Sequence, residues 1–326
     1  MCTLTLEHID IIGSLVASIL GMIGFLAFGV QIDCMQNIVS SVATLFGLLS
    51  PMPEEYELSL ENTIGGNFAL AISAINLQAF FQCYAERDGT QSARQFANLW
   101  MYIGLFLSYG KAGFDQIADG FDGTLMTFWV SFFAVMALVY FRLYFSGSTS
   151  LLDDLASHMF RRAPSSRIDL FAALVLMAYS VAAFLAFALR IEYMKLNMPN
   201  LLDFNGLLNP TPGPFLNVFD VLNGNSFALG MFGLNFSAWM GSAERKDVQS
   251  LRKFGNNMFW AGTILTYILY PENGSFFLTW EIISGFFIIF TLQVDDRDDD
   301  GYTDIPTLPT AVPASVVTPQ ILKSPQ

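Results

Sequence analysis

The sequence predicts an all-α integral membrane protein: eight transmembrane helices arranged as two parallel tandem repeats of a four-helix unit. Three observations lead there. Of the 326 residues 53% are apolar, 32 are Phe and the mean hydropathy is +0.48, a composition outside that of soluble domains. The apolar residues gather into runs approaching the roughly 20 residues a helix needs to cross hydrocarbon. The chain also repeats itself, QSARQFANLW from Gln91 returning as QSLRKFGNNM from Gln249.

Taken in order, the apolar runs lie near Ile9–Val30, Gly65–Tyr84, Phe96–Tyr109 and Leu125–Phe145, then near Ile168–Leu189, Asn225–Met240, Phe254–Tyr270 and Phe277–Leu292. Polar residues enter the third and seventh, whose apolar cores are short. The first run has no basic segment before it and is longer than a signal-peptide core, so it is read as a span. Cys2, Cys34 and Cys83 fall at different membrane levels and suggest no disulfide framework.

An offset of 159 positions lays Ile9-Asp10 on Ile168-Asp169, and FLAF at Phe25–Phe28 on FLAF at Phe184–Phe187. It continues through GLLSPMP (Gly47–Pro53) on GLLNPTP (Gly206–Pro212), GGNFAL (Gly65–Leu70) on GNSFAL (Gly224–Leu229), and Asn76 on Asn235. After a one-residue slip, AERDGTQSARQFAN (Ala85–Asn98) meets AERKDVQSLRKFGN (Ala243–Asn256), and Tyr109 meets Tyr267. A larger deletion then brings Trp129 onto Trp280. Shared hydrophobicity does not align Asp10, Pro51, Pro53, Asn76, Arg94 and Asn98 with their counterparts; a duplication does. The repeated phrase reads as one interhelical loop inherited twice.

The resulting division is a first membrane repeat over 1–145, a linker over 146–167, a second repeat over 168–293 and an acidic, then Pro-rich disordered tail over 294–326. An even number of spans per unit gives both copies one orientation, related by an axis along the membrane normal. Twelve Lys and Arg residues fall on the side of the termini, against Lys111, Arg190 and Lys195 opposite, which places both termini in the cytoplasm. The long first loops, Gln31–Ile64 and Arg190–Asn223, then face the lumen or exterior and each should contain a short helix before its proline phrase. The endoplasmic reticulum is the expected membrane.

Phosphate-binding glycine loops, HExxH, CxxC and nucleophile elbows are absent, and His8 and His158 alone support neither a histidine metal site nor a His-based triad. No cofactor or metal is expected, and no nucleic-acid partner. The spacing of Asp296, Asp298, Asp300 and Gly301 resembles the start of a calcium loop, but its twelfth position is Thr307, and a solvated acidic segment fits better. Asn273-Gly274-Ser275 is a glycosylation sequon close to the membrane.

Polar residues within spans are the informative remainder. Asn76 and Asn235 either line a substrate cavity at the repeat interface or join helices through a hydrogen bond. Asp10 and Asp169 open the first helix of each unit, where the dipole favours an acid. Asp33 and Glu192 would close those helices, where it does not, leaving a catalytic role and a solvated loop position both open. Glu281 replaces Val130 of the first copy. Beside Trp280, Phe286 and Phe287 it would be desolvated, stay protonated and serve as a general acid, unless it merely snorkels to the interface. Tyr109 and Tyr267 are further candidates for substrate contact, and interfacial tyrosines are also common.

Three function classes fit: an enzyme for a lipophilic substrate, a small-molecule transporter or channel, and a membrane scaffold. As a whole the chain resembles the integral-membrane terpene cyclases of fungal meroterpenoid pathways, the type that closes an epoxyfarnesyl chain on an arene. The resemblance lies in eight helices, no soluble domain, abundant aromatics, sparse acids near the membrane surface and a Pro-rich tail. It implies protonation of an epoxide or alkene by a carboxylic acid, without metal or diphosphate chemistry. Glu281, Asp33 and Glu192 are the acids physical reasoning offers for that role.

Overall fold

The computed structural model describes residues 6–30, 32–43, 60–81, 88–118, 124–146, 162–163, 167–202, 227–240, 244–269 and 275–293. The architecture is helical. The first half contributes α1 (Leu6–Gly24), α2 (Asp33–Ala43), α3 (Leu60–Phe81), α4 (Asp88–Ala118) and α5 (Thr124–Ser146). The second contributes α6 (Arg167–Ala183), α7 (Glu192–Leu202), α8 (Ala228–Met240), α9 (Lys246–Ile268) and α10 (Ser275–Gln293). One two-residue antiparallel pair, Arg162 opposite Arg245 and Ala163 opposite Glu244, ties the approach to α6 to that of α9. Three described segments, Ile9–Ala27, Thr127–Tyr144 and Asp169–Ala188, are long and apolar enough to cross a membrane, and Gly65–Leu77 and Phe277–Leu292 are shorter apolar helices.

Both FLAF segments leave α-helical geometry. Phe25–Gly29 and Phe184–Ala188 are π-helical, and each is closed by the same pair of bonds. The amides of Val30 and Leu189 donate to the carbonyls of Phe25 and Phe184 at 2.9 Å, and those of Ile32 and Ile191 to Leu26 and Leu185, also at 2.9 Å. Arg190 follows with φ 53°, the left-handed residue that ends a helix. The Gln36 side-chain amide donates to the Ala27 carbonyl at 3.1 Å, taking an acceptor the widened turn leaves over.

These turns correct the reading of two acids. Asp33 and Glu192 do not end the first helix of each half; they are the first residues of α2 and α7, exposed, where the positive end of the helix dipole favours a carboxylate. The expected short helices after the first spans are thus present. A second correction concerns the repeated phrase, which is not a loop: Gln91–Trp100 lies within α4 and Gln249–Met258 within α9. Lys111 and Asp115 are helical as well, in the last part of α4. The proline phrases, Asn273 and Gly274 of the sequon, the acidic run and the tail lie outside the described residues.

The packing order departs from the chain order. Helix α3 packs chiefly on α1 and α9, and α8 on α6 and α4, while α5 lies along α4 and α10 along α9. Between α3 and α4, neighbours in sequence, contact is slight, as it is between α8 and α9. Glycines permit the close approaches. A Cβ on Gly230 of α8 would come within 3.0 Å of the Ala97 carbonyl oxygen of α4, and one on Gly21 of α1 within 2.6 Å of that of Ala69 on α3.

Candidate functional site

Polar residues inside this bundle form two matched sets. Asp10, one turn into α1 and 1% exposed, meets the guanidinium of Arg94, itself 2% exposed. The fork is bidentate: Arg94 Nη1 donates to Oδ1 at 3.0 Å and Nη2 to Oδ2 at 2.9 Å. Gln95 and Gln91 add donors to Oδ2 at 2.8 and 3.2 Å, and Arg94 also donates to the Ser14 hydroxyl. In the second half Arg252 grips Asp169 the same way at 3.0 and 2.6 Å, with Gln249 donating to Oδ2 at 3.0 Å. A buried ion pair is tolerable only when the remaining lone pairs are so satisfied. Asp10 and Asp169 therefore do more than open helices; each ties its helix to the repeated phrase.

The second set is a pair of amide rings. Asn76 donates to Asn98 at 2.8 Å and accepts from it at 2.7 Å; Asn235 and Asn256 do the same at 2.9 and 2.8 Å. The other amide proton of Asn76 goes to the Ile72 carbonyl at 2.9 Å, and that of Asn235 to Met231, also at 2.9 Å. Both residues are fully buried and both of their donors are occupied within the bundle.

The halves differ beyond these sets. Asn67 of α3 reaches Thr263 and Thr266 of α9 at 3.2 and 3.3 Å, a polar contact whose counterparts at Ser226, Leu105 and Ser108 lack the amide. Close in sequence to Thr266 lies Tyr267, 1% exposed, edge-on to Phe277 of α10 at 5.1 Å and hydrogen-bonded to Tyr179 of α6. Tyr179 extends the cluster to Trp280 at 5.9 Å, Phe259 at 5.8 Å and Phe68 at 6.0 Å. Glu281 adjoins Trp280 and shares a helix face with the buried Phe277 and Ser284. Its Oε1 is buried and receives no hydrogen bond among the described residues. An unsatisfied buried oxygen costs about 1–3 kcal/mol.

Of the sequence-derived candidates, Tyr267 and Glu281 lie on the packed pair α9 and α10, Tyr267 against Phe277, one turn before Glu281. Tyr109 sits in α4 against Phe133 at 5.0 Å, Asn76 and Asn235 are held in their amide rings, and Asp33 and Glu192 are exposed at helix starts. Comparisons of the chain with protein-family models, curated proteins and solved structures find no match. Sequence reasoning missed Tyr179 and Asn67. Tyr179 stands where the first copy has Leu20, so a difference between the copies was the available signal.

Proposed function

We propose that this chain is a polytopic membrane enzyme acting on a lipophilic isoprenoid substrate, a terpene cyclase that begins its reaction by proton transfer from a carboxylic acid. The observation that carries the reading is Oε1 of Glu281, buried without a donor among the described residues and next in sequence to Trp280, which belongs to the ring cluster of Tyr179, Tyr267 and Phe277. Such an orphaned buried oxygen calls for an explanation, and a substrate that completes it on binding is one. Protonation of an epoxide oxygen breaks one C–O bond and leaves a carbocation, which ring faces stabilise. A new C–C bond forms from the alkene, and proton loss, or capture by a hydroxyl of the substrate itself with loss of its proton, ends the cascade and returns the proton, so the net change is an isomerisation. The resemblance to fungal meroterpenoid cyclases points to an epoxidised prenyl arene as substrate.

The proposal includes eight spans in two parallel four-helix repeats, both termini in the cytoplasm and the endoplasmic reticulum as location. Matched ion pairs, amide rings and π-turns at aligned positions support the repeat. The test is mass spectrometry of microsomes fed epoxidised prenyl arenes, comparing the wild type with Glu281→Gln. A cyclised product that falls at least 100-fold in the variant is expected, in line with loss of a general acid. A product unchanged in the variant removes Glu281 from the role, and no product from a folded protein removes the enzyme.

One observation favours a second reading, a membrane scaffold: the remaining buried amides and charges described above satisfy one another. A scaffold tolerates Glu281→Leu with a gain in stability and no loss of function.

A further inference from the structure

The two halves of the chain are joined in a manner their sequence similarity does not suggest. The ion pairs and the asparagine pairs are internal to each half, Asp10 of α1 to Arg94 of α4, Asn76 of α3 to Asn98 of α4, and their counterparts Asp169 to Arg252 and Asn235 to Asn256, while Asn67 of α3 crosses to Thr263 and Thr266 of α9. The apolar packing is exchanged. Helix α3 gives its face to α9, and α8 gives its face to α4, while the sequence-adjacent pairs α3 with α4 and α8 with α9 barely touch.

Particular residues make the exchange intimate. Gly255 of α9 faces Ile75 of α3, where a Cβ would come within 2.9 Å of the Ile75 side chain, and Gly262 faces Asn67 at 3.0 Å. On the matching side Gly230 and Gly233 of α8 lie against Ala97 and Trp100 of α4, and Trp100 meets Phe232 edge-on at 5.6 Å. Phe68 of α3 meets Phe259 of α9 with ring centroids 4.5 Å apart and the rings tilted. Two compact groups result, α1, α3, α9 and α10 in one and α6, α8, α4 and α5 in the other, each built from both halves.

We infer that the two halves are interlocked: the surface between α3 and α4 of the first half is a docking surface for α8 and α9 of the second, and neither half is a folding unit by itself. The committed partner is the other half of the same chain. Small residues at the crossings and buried amides at both ends are the features by which membrane helices associate closely. The inference is independent of any catalytic role.

The test uses the full chain with a protease site inserted between residues 147 and 161, purified in mild detergent and then cleaved. The expected result is co-elution of the two fragments until denaturant separates them, with hydrogen-exchange protection of α3, α4, α8 and α9 lost at the same denaturant concentration as association. Fragments that separate while those helices keep their protection overturn the inference, because independent repeats behave that way. Gly230→Leu in the same cleavable chain supplies a second reading: it is expected to release the fragments at lower denaturant, while Phe141→Leu on the exposed face of α5 leaves release unchanged. Equal release in both variants also overturns it.

Discussion

Removing Arg252 strips a buried carboxylate of both its charge partner and two hydrogen bonds. Arg252→Met is therefore expected to cost about 3–5 kcal/mol, and the double variant Asp169→Leu/Arg252→Met less, because it removes the buried carboxylate together with its guanidinium partner. Denaturant titration in micelles measures both. The amide rings obey the same asymmetry at smaller scale. Asn76→Leu leaves Asn98 unpaired and should cost about 1–3 kcal/mol, whereas Asn76→Leu/Asn98→Leu restores most of that. These residues were visible in the sequence as polar letters kept in both copies. What the letters did not carry was the pairing, since Asp10 lies 84 positions from Arg94 and only the fold brings them together. Glu281 was legible for the opposite reason: an acid stands where the first copy has Val130.

At the scale of elements, the repeated phrase explains the main misreading. Arg94, Gln95 and Asn98 lower the hydropathy of α4 to that of a loop, but each is buried and satisfied by a neighbouring helix. Hydropathy records transfer to hydrocarbon and is blind to partners within the protein. The acids Asp33 and Glu192 were misjudged because a π-turn ends the preceding helix a few residues before each of them and lets a new one begin there. Packing at glycine gives a direct check. Gly21→Leu places a side chain where a Cβ already comes within 2.6 Å of the Ala69 carbonyl, and overpacking of this kind is expected to cost about 1–3 kcal/mol or more. Thermal unfolding followed by circular dichroism reads it, with Ile12→Leu on the exposed face of the same helix as the neutral control.

At the scale of the whole molecule, orientation is the claim most open to direct measurement. Cys34 is exposed at the start of α2 and, in the proposed topology, lies across the membrane from both termini. With Cys2 and Cys83 replaced by Ser, an impermeant maleimide should label Cys34 in permeabilised microsomes and leave it unlabelled in sealed ones. Labelling of sealed vesicles reverses the orientation. The helical class was legible because composition survives without knowledge of contacts, and the likeness of the two halves is a self-similarity of the sequence itself. The exchange of helices between the halves was not, because two copies that pack on themselves and two that pack on each other require the same apolar pattern.

That exchange also sets a clock on synthesis. The amide of Asn67 finds its hydroxyl partner 196 residues downstream, at Thr263. At about 5–20 residues per second, α3 waits roughly 10–40 s for the helix that completes it. During that interval a nascent chain carries a buried-type amide and an apolar flank with no mate, which makes the half-made protein a client for whatever holds unfinished helices at the ribosome exit. A premature stop after α5 would leave that client permanent.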